Sequence, residues 1–133
     1  MKERTEQPKV LHEVMGMELL PSVPGEAHAR MPVTHTVCQP FGFLSGGASL
    51  ALAETLAGYG SLALCEDGEV PLGVQVSANH VHAVPLGGEV KAVARLLSQT
   101  RTLHVWNVDI TDEEGRLVST SRVTNCIKKR KKA

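Results

Sequence analysis

Hydrophobic and polar positions change their period along this chain. Val10, Leu11, Val14, Met15 and Leu19 recur at helical spacing and predict a short helix over 10–20. Pro21 and Pro24-Gly25 end it. Over 27–37, Met31, Val33 and Val37 stand among Thr and His, which predicts a strand with Pro32 near its start or at an edge. Residues 39–42 read as a loop. Gly46-Gly47 then lead into the longest regular element, the Ala- and Leu-rich run 48–57. Gly58 and Gly60 weaken its far end, and residues 65–68 close it. Beyond that point the period becomes two. Strands are predicted over 72–84, 89–97, 101–111 and 116–127, with turns at 85–88 and 112–115. In the first of them Leu72, Val74, Val76 and Ala78 share a face, and the alternation shifts near Asn79. Residues 1–9 read as a loose arm.

The order is strand, long helix, then an antiparallel run of four strands, so the fold class is α+β rather than a parallel βαβ series. The helix has no polar face and needs cover on several sides. A curved antiparallel sheet wrapped around it supplies that cover. The sheet's open ends invite pairing between subunits. Residues 41–65 carry one charge, Glu54, yet five Gly and a carboxylate near the middle argue against a membrane span.

A length of 133 residues suits one domain over 1–133. Lys+Arg and Asp+Glu are 14 each, but five of the basic residues form the run 128–132. The rest is a mildly acidic body with a basic tail, 128–133. That tail is either a solvated end or a landing site for phosphates. Aromatics are only Phe41, Phe43, Tyr59 and Trp106, too few for a nucleic-acid stacking platform. Cys38, Cys65 and Cys126 are odd in number and lack CxxC spacing, and no apolar leader follows Met1, so a cytoplasmic protein is expected. The six His show no metal-ligand spacing; His80 and His82 would share one strand face.

Two features carry chemistry. Glu54 is a lone carboxylate on an apolar helix, costly if buried unpaired; desolvation would then raise its pKa, as in many active sites. At the helix start, Ser45-Gly46-Gly47 offers free backbone N–H groups and the positive end of the helix dipole, suited to an oxyanion. Eight residues separate Gly46 from Glu54, about 12 Å at 1.5 Å per residue, too far for one small group to touch both. Two antiparallel copies of the helix across a two-fold axis would bring one subunit's Gly46 to the other's Glu54.

The stretch from Gln39 through Pro40-Phe41-Gly42 and Ser45-Gly46-Gly47 to Glu54 resembles the hotdog-fold acyl-CoA thioesterases, in the branch that acts on 4-hydroxybenzoyl-CoA and 1,4-dihydroxy-2-naphthoyl-CoA. Ser77–Val81, His104–Ile110, Asp112–Leu117 and Ser121–Thr124 are similar to that branch too. The resemblance implies a long central helix wrapped by a curved antiparallel sheet, homodimers with shared sites, commonly paired into homotetramers, and metal-free hydrolysis of a coenzyme A thioester of an aromatic or bulky acid. It implies Glu54 as nucleophile or general base, the Gly46 N–H as the group polarising the carbonyl, and Gln39 beside the reacting centre. His80, Val81 and His82, with Ser98, Gln99, Thr100 and Arg101, would lie along the coenzyme A arm, where Arg101 and the basic tail meet phosphates. Two positions depart from the pattern. Ser45 stands where relatives have His, and its hydroxyl or a water would take over that role. Gly58 stands where a hydroxyl residue is common. These departures motivate an alternative, a non-hydrolytic acyl-CoA or acyl-carrier binding protein. A dehydratase or isomerase would need a His–acid pair, which the spacing of His35 and His80 does not favour. Neither nucleic acid nor membrane is an expected partner.

Overall fold

A computed structural model describes residues 7–130. Its elements are α1 (Leu11–Met15), β1 (Glu18–Val23), β2 (Glu26–Pro32), a 3-10 turn (His35–Val37), α2 (Gly46–Leu62), β3 (Glu69–His80), β4 (Glu89–Gln99), β5 (Leu103–Thr111) and β6 (Leu117–Lys129). All six strands form one sheet in the order β1-β2-β4-β5-β6-β3, every pairing antiparallel. β3 therefore does not neighbour β4; it crosses to the far edge and pairs with β6.

Three expectations need correcting. The predicted helix over 10–20 is only α1, because Gly16 takes φ 82° and ends it, and Leu19 and Leu20 belong to β1. Pro21 sits within that strand, tolerated because β1 is at the sheet edge, and the pairing with β2 is irregular there, between Leu20 and Val23. The strand predicted over 27–37 stops at Pro32, with the 3-10 turn after it. The shift expected near Asn79 lies earlier: Gly73 faces Asn125 and Gln75 faces Thr124, so Val74 is the extra residue of a bulge. The arm's residues 7–9 are exposed and irregular, and 1–6 lie outside the described residues. The basic run begins inside β6, where Lys128 and Lys129 pair with Val70 and Glu69; residues 131–133 lie outside the described residues.

The core forms between α2 and the sheet. Leu52, Ala53, Leu56 and Ala57 are fully buried against Ala29, Met31, Val90, Ala92, Ala94, Trp106, Val108 and Val123. Buried helix positions recur at three and four residues, so one stripe of α2 packs and the other stays open. Glu54 lies on the open stripe and is exposed. Among the described residues no helix is long and apolar enough to cross a membrane.

The last turn of α2 is fixed by a buried polar node. Ser61 Oγ accepts from Trp106 Nε1–H at 2.8 Å and Asn125 Nδ2–H at 3.0 Å, and it lies 2.8 Å from His104 Nδ1. With both lone pairs engaged, the hydroxyl donates to Nδ1, so His104 is held neutral. Burial holds the His104 imidazole below its ordinary value, with nearby Glu69 opposing. A depressed folded-state pKa contributes stability that is present above the unfolded value of about 6.5 and lost as pH falls from there through the folded value. Thermal melts from pH 7.5 to 5 are expected to show this decline, with a flatter slope in His104→Asn.

Two glycines of α2 are expected to respond oppositely to alanine. A Cβ at Gly60 would stand 2.6 Å from Trp106 Cη2, whereas one at Gly58 meets nothing within 4 Å. Gly60→Ala should cost about 1–3 kcal/mol from overpacking. Gly58→Ala should stabilise by about 0.5–1 kcal/mol through helix propensity. Denaturant melts of the two variants check both signs.

Candidate active site

The site begins with how the chain enters α2. Ser45 is the N-cap: its Oγ accepts from the N–H of Gly47 at 3.1 Å and of Ala48 at 3.4 Å, while its carbonyl takes the N–H of Ser49. Three of the first four helix N–H groups are thus satisfied internally. Among the described residues the Gly46 N–H alone in that turn has no acceptor. The positive end of the helix dipole is therefore open to one external oxygen.

The loop before the helix is closed by Gln39. Its Oε1 accepts from the N–H of Phe41 at 2.6 Å and of Phe43 at 3.2 Å, which fixes the orientation of the amide. The NH2 end is then the part left for a ligand. Gln39 and Gly46 line one pocket of about 390 Å³ with Phe43, Ser49, His80 and His82. Of Phe41, Phe43 and Tyr59, only Phe43 lines it. Phe41 is 81% exposed, and Tyr59, 3.2 Å from His12 Nε2, lines a separate apolar pocket with Leu19, Val23 and Ala63.

β3 supplies the wall beside the helix. The ring of His80, its last residue, covers Gly46: a Cβ there would come within 2.9 Å of Cδ2 and Nε2. Lower on the strand, the Glu54 side chain lies against Gly73, and a Cβ at Gly73 would fall on its Oε2. Gly73 is the residue that sequence reasoning passed over. A glycine inside a strand pattern marks a bulge or a close approach, and here it is both. Gly73→Ala is expected to keep the fold, because the clash is with the end of a flexible side chain. With the role that the resemblance implies for Glu54, displacing the carboxylate should nevertheless lower thioester turnover by about 10²-fold. Steady-state kinetics beside a melting curve checks it.

Gln39, Gly46, His80, Val81 and His82 are brought together by the single chain. Glu54, farther along α2, does not line that pocket. Ser45 is engaged with its own helix. Ser98, Gln99, Thr100 and Arg101 lie at the opposite end of the sheet, where Thr100 N–H donates to Leu103 O and where Gln99, Thr100 and Arg101 share a pocket with Glu69 and Lys129. β3 spans the distance from there to His80, roughly 35 Å at 3.3 Å per residue. Among the described residues no cluster of three His, Cys, Asp or Glu is placed to hold a metal ion.

The free Gly46 N–H, the Gln39 amide and the carboxylate farther along the helix sit within the span 41–119, or just before it, that matches the profile of the thioesterase superfamily. The chain belongs to the thioesterase superfamily. This thioesterase is 38% identical over 122 residues to the 1,4-dihydroxy-2-naphthoyl-CoA hydrolase of Listeria monocytogenes, over 92% of this chain and 98% of that one. It is 43% identical over 103 residues to the Escherichia coli protein of the same name, over 74% of this chain and 72% of that one. The crystal structure of a Haemophilus influenzae thioesterase superposes with a TM-score of 0.84 at 36% identity, covering 89% of this chain and 82% of that one. The hotdog fold expected from the resemblance stands, and the chain is a thioester hydrolase.

Proposed function

We propose that this thioesterase hydrolyses acyl-coenzyme A thioesters of aromatic or bulky acids, in sites shared by two antiparallel copies of the chain. The observation that carries the reading is the Gly46 N–H, the one unsatisfied donor in the first turn of α2, opening on a pocket that also holds the Gln39 amide. A thioester carbonyl oxygen accepts the Gly46 N–H, which polarises the carbon and holds the negative charge that develops. Gln39 orients the substrate or the water. The carboxylate comes from the partner's Glu54, since α2 places its own about 12 Å along the axis. Glu54 either attacks the carbonyl, giving an anhydride that water opens, or takes a proton from the attacking water. In both routes the acyl carbon–sulfur bond breaks, the sulfur leaves as thiolate, and water supplies the acid's oxygen and the thiol's proton.

A two-chain site is supported by what the single chain leaves uncovered. β3 is an edge strand whose Leu72 and Val74 are 50% and 61% exposed, beside the open stripe of α2. Antiparallel pairing of two β3 edges would cover these residues. It would also set His80 and His82 of one copy near the Gln99–Arg101 turn of the other, giving the coenzyme A arm a path between them. Pairing of such dimers into a tetramer belongs to the same reading, as does a cytosolic location, which the three free thiols support. The related 1,4-dihydroxy-2-naphthoyl-CoA hydrolases and the pocket residue Phe43 support an aromatic acyl group.

The test is steady-state release of free thiol from aliphatic and aromatic acyl-coenzyme A substrates. Turnover with preference for aromatic acids is expected. Tight binding of all of them with no turnover would overturn the reading in favour of a binding protein. Single turnover in ¹⁸O-water then separates the two routes, since label enters Glu54 only if it is the nucleophile.

A further inference from the structure

Ser45 leaves the entrance of α2 without an imidazole from the loop, yet an imidazole is there. We propose that His80 Nε2–H is a second donor to the thioester carbonyl oxygen, beside the Gly46 N–H. This rests on the function proposed above and replaces, for His80 alone, the role along the coenzyme A arm.

Three observations support the assignment. The His80 ring lies on Gly46, with Nε2 within 2.9 Å of where a Cβ would stand. Both residues line the same pocket. The other ring nitrogen is held: Nδ1 lies 3.1 Å from Ser119 Oγ. Ser119 is 1% exposed, and among the described residues His80 Nδ1 is the one hydrogen-bond partner of its Oγ. Were Nδ1 protonated, the buried Ser119 proton would have no acceptor, a costly arrangement. Ser119 therefore donates to Nδ1, and the neutral ring carries its proton on Nε2, facing the pocket. Gly46 is required twice over. Its N–H meets the oxygen, and its missing side chain admits the ring.

The sheet makes this placement firm. His80 pairs directly with Ser119 across β3 and β6, so the two side chains are neighbours on the same face. The ring is anchored by packing on one side and by a buried hydroxyl on the other, as a preorganised donor must be.

The experiment compares His80→Phe, His80→Gln and Ser119→Ala with wild type. It uses an acyl-coenzyme A substrate and the same acyl group on a short thiol without the nucleotide. Phe keeps the ring against Gly46 and removes the donor; kcat should fall about 10²-fold on both substrates, with KM within about threefold. The Gln amide N–H reaches about as far as Nε2, so His80→Gln should recover a tenfold part of that loss. Ser119→Ala should lose less than His80→Phe and add little in combination with it. Wild-type kinetics in His80→Phe would overturn the proposal. So would a raised KM confined to the nucleotide-bearing substrate, which marks a coenzyme A contact. If His80→Phe fails to fold, His80→Gln and Ser119→Ala decide: a loss in KM alone, or none, overturns it. Absence of turnover in wild type would overturn the proposed function itself, a distinct result from an active enzyme indifferent to His80.

Discussion

Glu54→Ala is expected to lower kcat for acyl-coenzyme A hydrolysis by about 10³-fold, with the melting temperature close to wild type. The two halves of this expectation have separate causes. Glu54 is exposed and, among the described residues, accepts no hydrogen bond, so the fold loses little when the carboxylate goes. In the proposed mechanism the chemistry loses the group that attacks the thioester or takes the proton of water, a contribution of about 10²–10⁴ for a positioned base and more for a nucleophile. The Gly46 N–H and Gln39 still bind the carbonyl, so KM should change little. Glu54→Gln, of nearly the same shape, should lose as much, because the missing property is the negative charge. Stopped-flow and steady-state rates for both variants check it, and a loss under tenfold would remove Glu54 from the mechanism.

Ser61→Ala should be the most destabilising conservative change in the chain. One hydroxyl holds Trp106 Nε1–H, Asn125 Nδ2–H and His104 Nδ1 together, and all three residues are at most 2% exposed. Asn125 keeps a second bond to the Ala57 carbonyl at 3.2 Å. Trp106 and His104 would be left buried with unmet polar groups, at about 1–3 kcal/mol each. A loss of about 3–4 kcal/mol lowers the melting temperature of a chain this long by about 10–15 °C. A scan at neutral pH checks it; a drop under 3 °C would show that the node repacks without cost. The damage would be to stability rather than rate, since the node lies at the end of α2 remote from Gly46.

Much of the architecture was legible because its signals are local. Alternation marks β4, β5 and β6, and the Ala/Leu run marks α2. Glycines and the Gln39 loop mark the entrance to α2, and the spacing from Gly46 to Glu54 is about 12 Å, too long for one small group to span. What was not legible depends on contacts distant in sequence. Nothing near Leu19 says that it will extend a sheet, because β1 forms only when β2 is beside it. Nothing near Glu69 says that β3 will cross to β6. The open stripe of α2 was misread as buried because Ala, Leu and Gly suit a helix packed on either side or on both. That His80 lies on Gly46 and beside Ser119 was not legible, because only folding brings these residues together. Gly73 was visible as an anomaly, a glycine within a strand, but its meaning required knowing that Glu54 lies opposite.

The bulge at Val74 gives β3 a property that counts in whole residues. Gly73 and His80 are seven apart, so an unbroken strand would point them to opposite faces; both nevertheless face α2, one against Glu54 and the other against Gly46. Their counterparts on β6, Asn125 and Ser119, are six apart and both buried. The bulge absorbs Val74, so an odd separation along the chain becomes an even one along the ladder. Parity, rather than side-chain identity, is what the bulge preserves. Many side chains would serve at that position, and deleting it would leave Gly73 and His80 six apart and on one face still, whereas drawing Val74 into regular pairing would turn His80 away from Gly46.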